Sequence, residues 1–363
     1  MRVAVLGAGN GGLAAAADLT LRRHEVRLVE HPEFSGRLAP VLERGGITLT
    51  GIRDGFARPA LLTVDVAEAV AGADLIVIVV PAFGQRPMAE LVAPHLRSEQ
   101  AVLLNPGSTG GAVEVARILR QAGHRGPIGE TTMLTYVCRI TDPGTVWLTH
   151  VPRVLHLAAF PGTDTPRLLT QVGELYPFME AGTDVLETGL NNVNPIIHLG
   201  TGLCNAGRIE AEKGNFYFFR EGLTPSVARV HEVMDRERVA LLRAFGYEPL
   251  TTLAYMREMG YTTSADGWYE AMRTSEMFSG SSAFKAPTSL THRFFQEDVG
   301  YNLVTWLDLA DAAGVPMPVT EGVCRLVSVL NGVDYRAQGA RTLRTLGLAG
   351  LSPTELRARV RDG

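Results

Sequence analysis

"MRVAVLGAGNGGLAAAADLTLRRHEVRLVE", residues 1–30, decides the fold. A β-branched run, "RVAVL", leads into Gly7-x-Gly9-x-x-Gly12, and an alanine-rich helical stretch follows. A second strand, "EVRLV", ends at Glu30, eighteen residues past Gly12. Each piece has a task in holding a dinucleotide. Gly7 permits the tight turn, Gly9 lets the backbone approach a pyrophosphate, and Gly12 lets helix and strand pack closely. The helix N-terminus offers N–H groups and its positive dipole end to the phosphates, so Ala8, Asn10 and Gly11 join the three glycines as candidate contacts. Glu30 can accept from both ribose hydroxyls and would repel a 2′-phosphate, which favours NAD. His31 and Arg37 nearby could serve a phosphate, so NADP stays open. A lone glycine triplet is weak; set between two strands, with an acid at this distance, it is a strong signal.

The β/α alternation continues. "DLIVIVV" (74–80) is an unbroken apolar run, as expected of a parallel strand buried on both faces. It stops at Pro81, whose loop would lie at the carboxyl end of the sheet, where such folds bind ligands. "AVLLNPGSTGG" (101–111) repeats the design before the helix "AVEVARILRQAG". Its glycine-rich turn reads either as a plain turn or as a loop close to a nicotinamide. Further strands are expected in "TVWLTHV" and "VLHLAAF". Residues 1–183 are thus expected to form an α/β Rossmann-type domain with a doubly wound, mostly parallel sheet.

At 363 residues, 46% hydrophobic and 20% charged with net charge −4, the chain has the make-up of a soluble globular protein with two cores. Its basic residues are dispersed until the tail "RTLRTLGLAGLSPTELRARVRDG", read as solvated terminal helices, so no nucleic-acid partner is expected. No apolar run reaches membrane-spanning length, so no membrane is expected either. A strand starting at residue 2 leaves no room for a signal peptide. Cys138, Cys204 and Cys324 form no CxxC pair, which argues against a disulfide framework or zinc ribbon and for a reducing cytoplasm; no metal site is expected. Of 34 basic residues only Lys213 and Lys285 are lysine. A mechanism built on a lysine has two candidates.

Beyond residue 180 the texture changes. Apolar residues recur at three and four in "SVARVHEVMDRERVALLRAFG" and "YNLVTWLDLADAAG", a helical period. Residues 184–363 are expected to form a helical domain that supplies most of the catalytic groups. In "NNVNPIIHLGTGLCNAGR" (191–208), Asn194 fits a helix N-cap and Pro195 the first helical position. His198, Thr201, Asn205 and Arg208 then share one face, and that polar stripe must satisfy its hydrogen bonds somewhere. It reads either as a satisfied core histidine or as the polar lining of a site. In "RFFQEDV", Arg293 and Asp298 read either as a surface ion pair or as working charges. The aromatics of "KGNFYFFREG" read as packing or as a pocket wall.

Several short motifs in fixed order discriminate among these readings: "GAGNGG", "NPGSTGGA", "GETTMLTYVCR", "NNVNPIIH", "EGLTPSV", "RFFQEDV" and "RTLRTLGLAGLS". Over residues 2–356 the chain resembles the opine dehydrogenases, the octopine and nopaline dehydrogenase group. The resemblance implies an all-α C-terminal domain of the 6-phosphogluconate-dehydrogenase-like type. It also implies NAD(P)H-dependent reductive condensation of an α-keto acid with the amino group of an amino acid, both small-molecule substrates. In that family the Asn-Pro-x-x-His histidine is catalytic, which falls here on His198. The Arg-x-x-x-x-Asp pair falls on Arg293 and Asp298. Tyrosine often follows that arginine; here Phe294 stands in its place. Asp298 is the expected partner for the imidazole, fixing its tautomer and favouring imidazolium, and Arg293 the expected two-point grip on a carboxylate. A homodimer is the one assembly entertained. The rival enzyme reading is a ketopantoate-reductase-like or 2-hydroxy-acid dehydrogenase, which shares the two-domain plan; the ketopantoate type relies on a lysine. A non-catalytic dinucleotide-binding sensor is the rival from outside enzymes.

Overall fold

A computed structural model describes residues 1–264, 266–281 and 283–363, in two compact units. The first comprises Met1–Gly107, Gly111–Thr188 and Val360–Gly363; the second comprises Ser108–Gly110 and Gly189–Arg359. The main chain passes from one unit to the other at Thr188 rather than 183, and the last four residues cluster with the first unit.

The first unit contains twelve strands among the described residues: β1 (Arg2–Leu6), β2 (Glu25–Val29), β3 (Ile47–Gly51), β4 (Gly55–Ala57), β5 (Leu61–Thr63), β6 (Leu75–Ile78), β7 (Ala101–Leu104), β8 (Ile128–Thr131), β9 (Val137–Asp142), β10 (Thr145–His150), β11 (Leu155–Ala159) and β12 (Met179–Ala181). Eight form one sheet in the order β12-β11-β8-β7-β6-β1-β2-β5. All its pairs are parallel except β8 with β11. The apolar runs "LIVI" of β6 and "AVLL" of β7 are buried at every residue, because helices cover both faces. Chain order reverses between β1 and β6, and Leu6 pairs in register with Ile78 there. The glycine loop and Pro81 follow these two strand ends.

The remaining strands make a second sheet, β4-β3-β10-β9, not anticipated from the sequence. "TVWLTHV" is a strand as expected, but it belongs to this small sheet. The sheet packs on the outer side of the Asn10–Leu21 helix. That helix is therefore covered all round: Ala14 to Ala17 are fully buried, and even Asp18 is 1% exposed. Asp18 takes a hydrogen bond from the Tyr136 hydroxyl at 2.9 Å and ion pairs with Arg53 and Arg22.

The second unit is helical. The Asn194–Cys204 helix packs against Pro225–Ala244, Arg293–Glu297, the π-helical turn Asp298–Leu303 and Pro318–Asn331. Its glycines mark close approaches: a Cβ on Gly200 would overlap the His231 ring, and one on Gly202 would press on Phe295. The tail is not a solvated appendage as expected. Leu343, Leu346 and Leu356 are buried, and Arg341 is fully buried, donating to the Thr109 carbonyl at 3.4 Å. Among the described residues no helix is long and apolar enough to cross a membrane.

Candidate active site

The glycine loop of the first unit has the geometry that a pyrophosphate needs. Gly7 has φ +110°, and a Cβ on Gly12 would overlap the Gly7 carbonyl oxygen, so neither position admits a side chain. A Cβ on Gly9 would meet nothing within 4 Å, leaving the backbone open to close approach. Gly9 is also the N-cap of the following helix and provides no side-chain cap, so that helix end can offer its N–H groups to an outside acceptor. Gly11 packs against Leu134 and Val79.

The other expected contacts divide. Glu30, 2% exposed, accepts from the Ala8 N–H at 2.9 Å and from the His31 N–H at 2.8 Å. Ala8 therefore gives its amide to the acid at the end of β2, not outward. Asn10 turns its side-chain oxygen to the Ile140 N–H at 2.7 Å, so only its main chain faces the loop. The Arg37 guanidinium, half exposed, lies 3.9 Å from Glu30. Pro81 is the N-cap of the Ala82–Val92 helix, at the end of β6 as expected. These residues fit a dinucleotide: a side-chain-free cradle, an uncapped helix terminus, and a buried carboxylate held in place by two amides.

In the second unit the polar stripe resolves into a buried pair. His198 is 8% exposed and Asp298 5%, with Nδ1 of the ring 2.7 Å from Oδ2 of the carboxylate. Two elements far apart in sequence supply them: the Asn194–Cys204 helix and the first residue of the π-turn. Burial pushes the Asp298 carboxyl up to about 8, opposed by the Arg293 charge. Phe294 lies flat on the imidazole, ring centroids 3.7 Å apart and planes 11° apart.

The rest of the sequence reading needs revision. Arg293 forms its ion pair with Glu297 at 3.2 Å, not with Asp298; its side chain is 43% exposed. The asparagines are scaffolding. Asn191 accepts from the buried Arg238 guanidinium at 2.8 Å, and Asn205 donates to the carbonyls of Thr201 and Gly222. Asn192 accepts from the Asn194 N–H at 3.1 Å, so it caps the helix that Asn194 itself begins. Lys213 and Lys285 are both exposed, Lys285 lying over Tyr217.

Two features escaped the sequence reading. His231, fully buried, meets Thr201 Oγ1 through Nε2 at 3.2 Å and stands edge-on to Trp268. Burial and the neighbouring His198 push its pKa down to about 3, so it is neutral. Its position in an amphipathic helical run gave no sign of this. The second feature is Asn302, in the π-turn. Its Oδ1 accepts from the Thr109 N–H at 2.9 Å and hydroxyl at 3.1 Å, and from Asn192 at 3.3 Å. Trp306 Nε1 donates to the same hydroxyl at 2.8 Å. The glycine-rich turn after β7 is thus more than a plain turn, since its tip is fastened within the helical unit.

Comparison with known proteins tells which chemistry this arrangement belongs to. Residues 181–331 match the family of the NAD/NADP octopine/nopaline dehydrogenase α-helical domain, and residues 2–109 match the NAD-dependent glycerol-3-phosphate dehydrogenase N-terminus. An opine dehydrogenase from Arthrobacter sp. (strain 1C) is 37% identical, covering 98% of both chains. The chain belongs to the opine dehydrogenase family. It is an NAD(P)-dependent oxidoreductase. In fold it is similar to an octopine dehydrogenase solved with NADH and agmatine (TM-score 0.78, 19% identity, 100% of this chain and 98% of that one). A yersinopine dehydrogenase solved with NADP+ gives a TM-score of 0.73 at 17% identity, with the same coverage. Within this opine dehydrogenase, the lysine that the ketopantoate-type rival requires would have to be one of two exposed residues, whereas His198 and Asp298 are buried together.

Proposed function

We propose that this opine dehydrogenase works through His198 as the acid/base group, Asp298 as its orienting partner and Arg293 as the carboxylate anchor. The carrying observation is the 2.7 Å His198–Asp298 bond in a buried setting, five residues on from a half-exposed arginine. The substrates are an α-keto acid of the pyruvate type and an amino acid with a free amino group, in line with octopine dehydrogenase structures solved with NADH and L-arginine and with NADH and pyruvate. The nicotinamide cofactor, held by the Gly7–Gly12 loop and Glu30, supplies the hydride.

The residues of the chain do the rest. Attack of the amine on the keto carbon gives a carbinolamine, and its hydroxyl must leave as water. The proton comes from His198 Nε2, since Nδ1 is occupied by Asp298. Whichever atom holds the proton of the 2.7 Å bond, the singly protonated pair leaves a hydrogen on Nε2. Loss of water leaves a C=N bond, whose reduction gives the secondary amine of the product. In the reverse direction Nε2 without its hydrogen takes the proton back. The planar guanidinium of Arg293 can hold the keto acid's carboxylate at two points, which limits rotation about the reacting carbon.

Glu30 supports NAD as the preferred cofactor, because its buried charge would oppose a 2′-phosphate. Three cysteines with no disulfide among them, two of them buried, support a reducing cytoplasm. The deciding experiment is NADH oxidation with pyruvate, glyoxylate or 2-oxoglutarate, with and without an amino-acid mixture, with mass detection of the product. An N-(carboxyalkyl) amino acid is expected. Oxidation that needs no amine would favour the 2-hydroxy-acid dehydrogenase reading. In the same assay His198→Ala is expected to lose turnover by a factor on the order of 10²–10⁴ while NADH binding persists; turnover close to wild type would remove His198 from the mechanism.

A further inference from the structure

The stacked ring beside the acid/base group has no part in the chemistry above. Phe294 is 4% exposed and covers one whole face of the His198 imidazole at 3.7 Å and 11°. It is held from behind and from the side: Phe218 lies tilted 5.7 Å away, and His292 stands edge-on at 4.5 Å. The His292 ring also accepts from the Phe294 N–H at 3.3 Å, fixing the start of the short Arg293–Glu297 helix. Asp298 holds the imidazole by its Nδ1 edge and Phe294 holds it by a face. Those two contacts determine the plane of the ring and the direction in which Nε2 points.

An aromatic face carries partial negative charge, so it attracts a protonated imidazolium more than a neutral imidazole. We propose that Phe294 is a positioning residue for this reaction, clamping the His198 ring in its working plane and favouring its protonated form. The inference rests on the acid/base reading of His198.

The charged and titratable surroundings leave that effect visible. On the π-turn the group facing His198 is Asp298. The Arg293–Glu297 helix brings Arg293, 5.6 Å from the Phe294 ring and paired to Glu297. His292 lies on the edge of Phe294. The Pro225–Ala244 helix brings His231, which is neutral at any working pH. On the Pro318–Asn331 helix the buried titratable group is Cys324, whose own charged neighbours are Arg336, Asp334 and Glu321.

The test compares Phe294→Leu, which keeps apolar bulk and loses the π face, with Phe294→Tyr, which keeps the face. Two readouts are taken: the high-pH limb of kcat/KM in the reductive direction, and the NMR titration of the His198 ring in the enzyme without substrate. In Phe294→Leu both should move to lower pH by about half to one and a half pH units. In Phe294→Tyr both should stay close to the wild-type position. A Leu variant with lowered melting temperature but an unmoved titration would make Phe294 mere packing and overturn the inference. An equal shift in Leu and Tyr variants would overturn it as well. If the Leu variant fails to fold, Phe294→Met carries the same comparison. The NMR titration separates the two claims: a full-activity His198→Ala variant sinks the mechanism, whereas the effect of Phe294 on the ring is read without turnover.

Discussion

Asp298→Asn is the substitution that most directly probes the buried pair. It preserves shape and burial and removes one charge beside the His198 ring. A carboxylate and an imidazolium about 4 Å apart between charge centres attract by about 4 kcal/mol at an effective dielectric of 20. A neutral amide bond in the same place returns about 1 kcal/mol. The protonated pair therefore loses about 1–3 kcal/mol, which is about one to two pH units on its titration. The sign follows from the protonation states. In the wild type Asp298 is raised to about 8, so below that pH the pair holds one proton and Nε2 bears a hydrogen. Above it the proton is gone and Nε2 can only accept. Reductive condensation, which needs the acid, should fall as pH rises through about 8, and product oxidation, which needs the base, should rise.

In Asp298→Asn the reductive limb should drop to lower pH by that one to two units, so that at pH near 8, where the wild type is half protonated, the rate falls about 5- to 50-fold. The oxidative direction should suffer more, by a factor on the order of 10²–10⁴, for a second reason. An amide N–H can donate to Nδ1 and hold the tautomer whose Nε2 already bears hydrogen. The assay is the absorbance of NADH in both directions from pH 6 to 10. Limbs that coincide with wild type, and rates within about threefold in both directions, would refute the reasoning.

Two other perturbations test neighbouring parts of the site. Arg293→Lys should raise the KM for the keto acid about tenfold or more with a smaller change in kcat, because an ammonium cannot make the two-point grip; steady-state kinetics with an unchanged KM would place the carboxylate anchor elsewhere. His231 is lowered to about 3 in the folded chain, against about 6.5 unfolded, so between those values the unfolded chain binds a proton that the folded one does not. Stability should therefore fall with pH below about 6.5, by about 2 kcal/mol at pH 5 from this group alone. Urea unfolding at pH 7 and pH 5 should show that loss in the wild type and a smaller one in His231→Gln; equal losses in both would assign the acid sensitivity to other groups.

The nucleotide end of the first unit was legible because its constraints are local. The turn at Gly7, the overlap that bars a side chain at Gly12 and the acid at the end of β2 all follow from about thirty consecutive residues. The second sheet was not read, although "GGLAAAADL" offered a clue. A helix apolar on every side needs cover on both faces, and the main sheet can provide only one. Its strands are short and separated by nearly a hundred residues, so no pattern in a single window pairs β3 with β10. In the helical unit, His198 and Asp298 were named through a resemblance. Spacing alone predicted a shared face for His198, Thr201 and Asn205, but not that a residue one hundred positions away would complete the pair. The asparagines could not be assigned from sequence, because side-chain amides that line a site and those that brace a scaffold look alike there. Their partners, Arg238, Asn302 and the carbonyl of Gly222, are tertiary.

The π-turn is the part of the site for which local sequence offers least warning and structure the most reason. A π-helical segment is less favourable than the α-helix on either side and is found chiefly where function retains it. Here its six residues do two things that an uninterrupted α-helix from Arg293 to Ala313 would not combine in the same register. Asp298 opens the turn and meets His198; Asn302, near its end, accepts three hydrogen bonds, two from Thr109 and one from Asn192. The Thr109 main-chain N–H can only donate, so the Asn302 carbonyl oxygen must face it. Among the described residues its own buried amide nitrogen finds no partner, a cost of about 1–3 kcal/mol. A wider turn and an orphaned amide are both unfavourable locally. They are sustained because Asn192, six residues before His198, is bonded to the same oxygen. The segment that starts the His198 helix and the segment that carries Asp298 are therefore fixed to each other at two points, four residues apart in the π-turn.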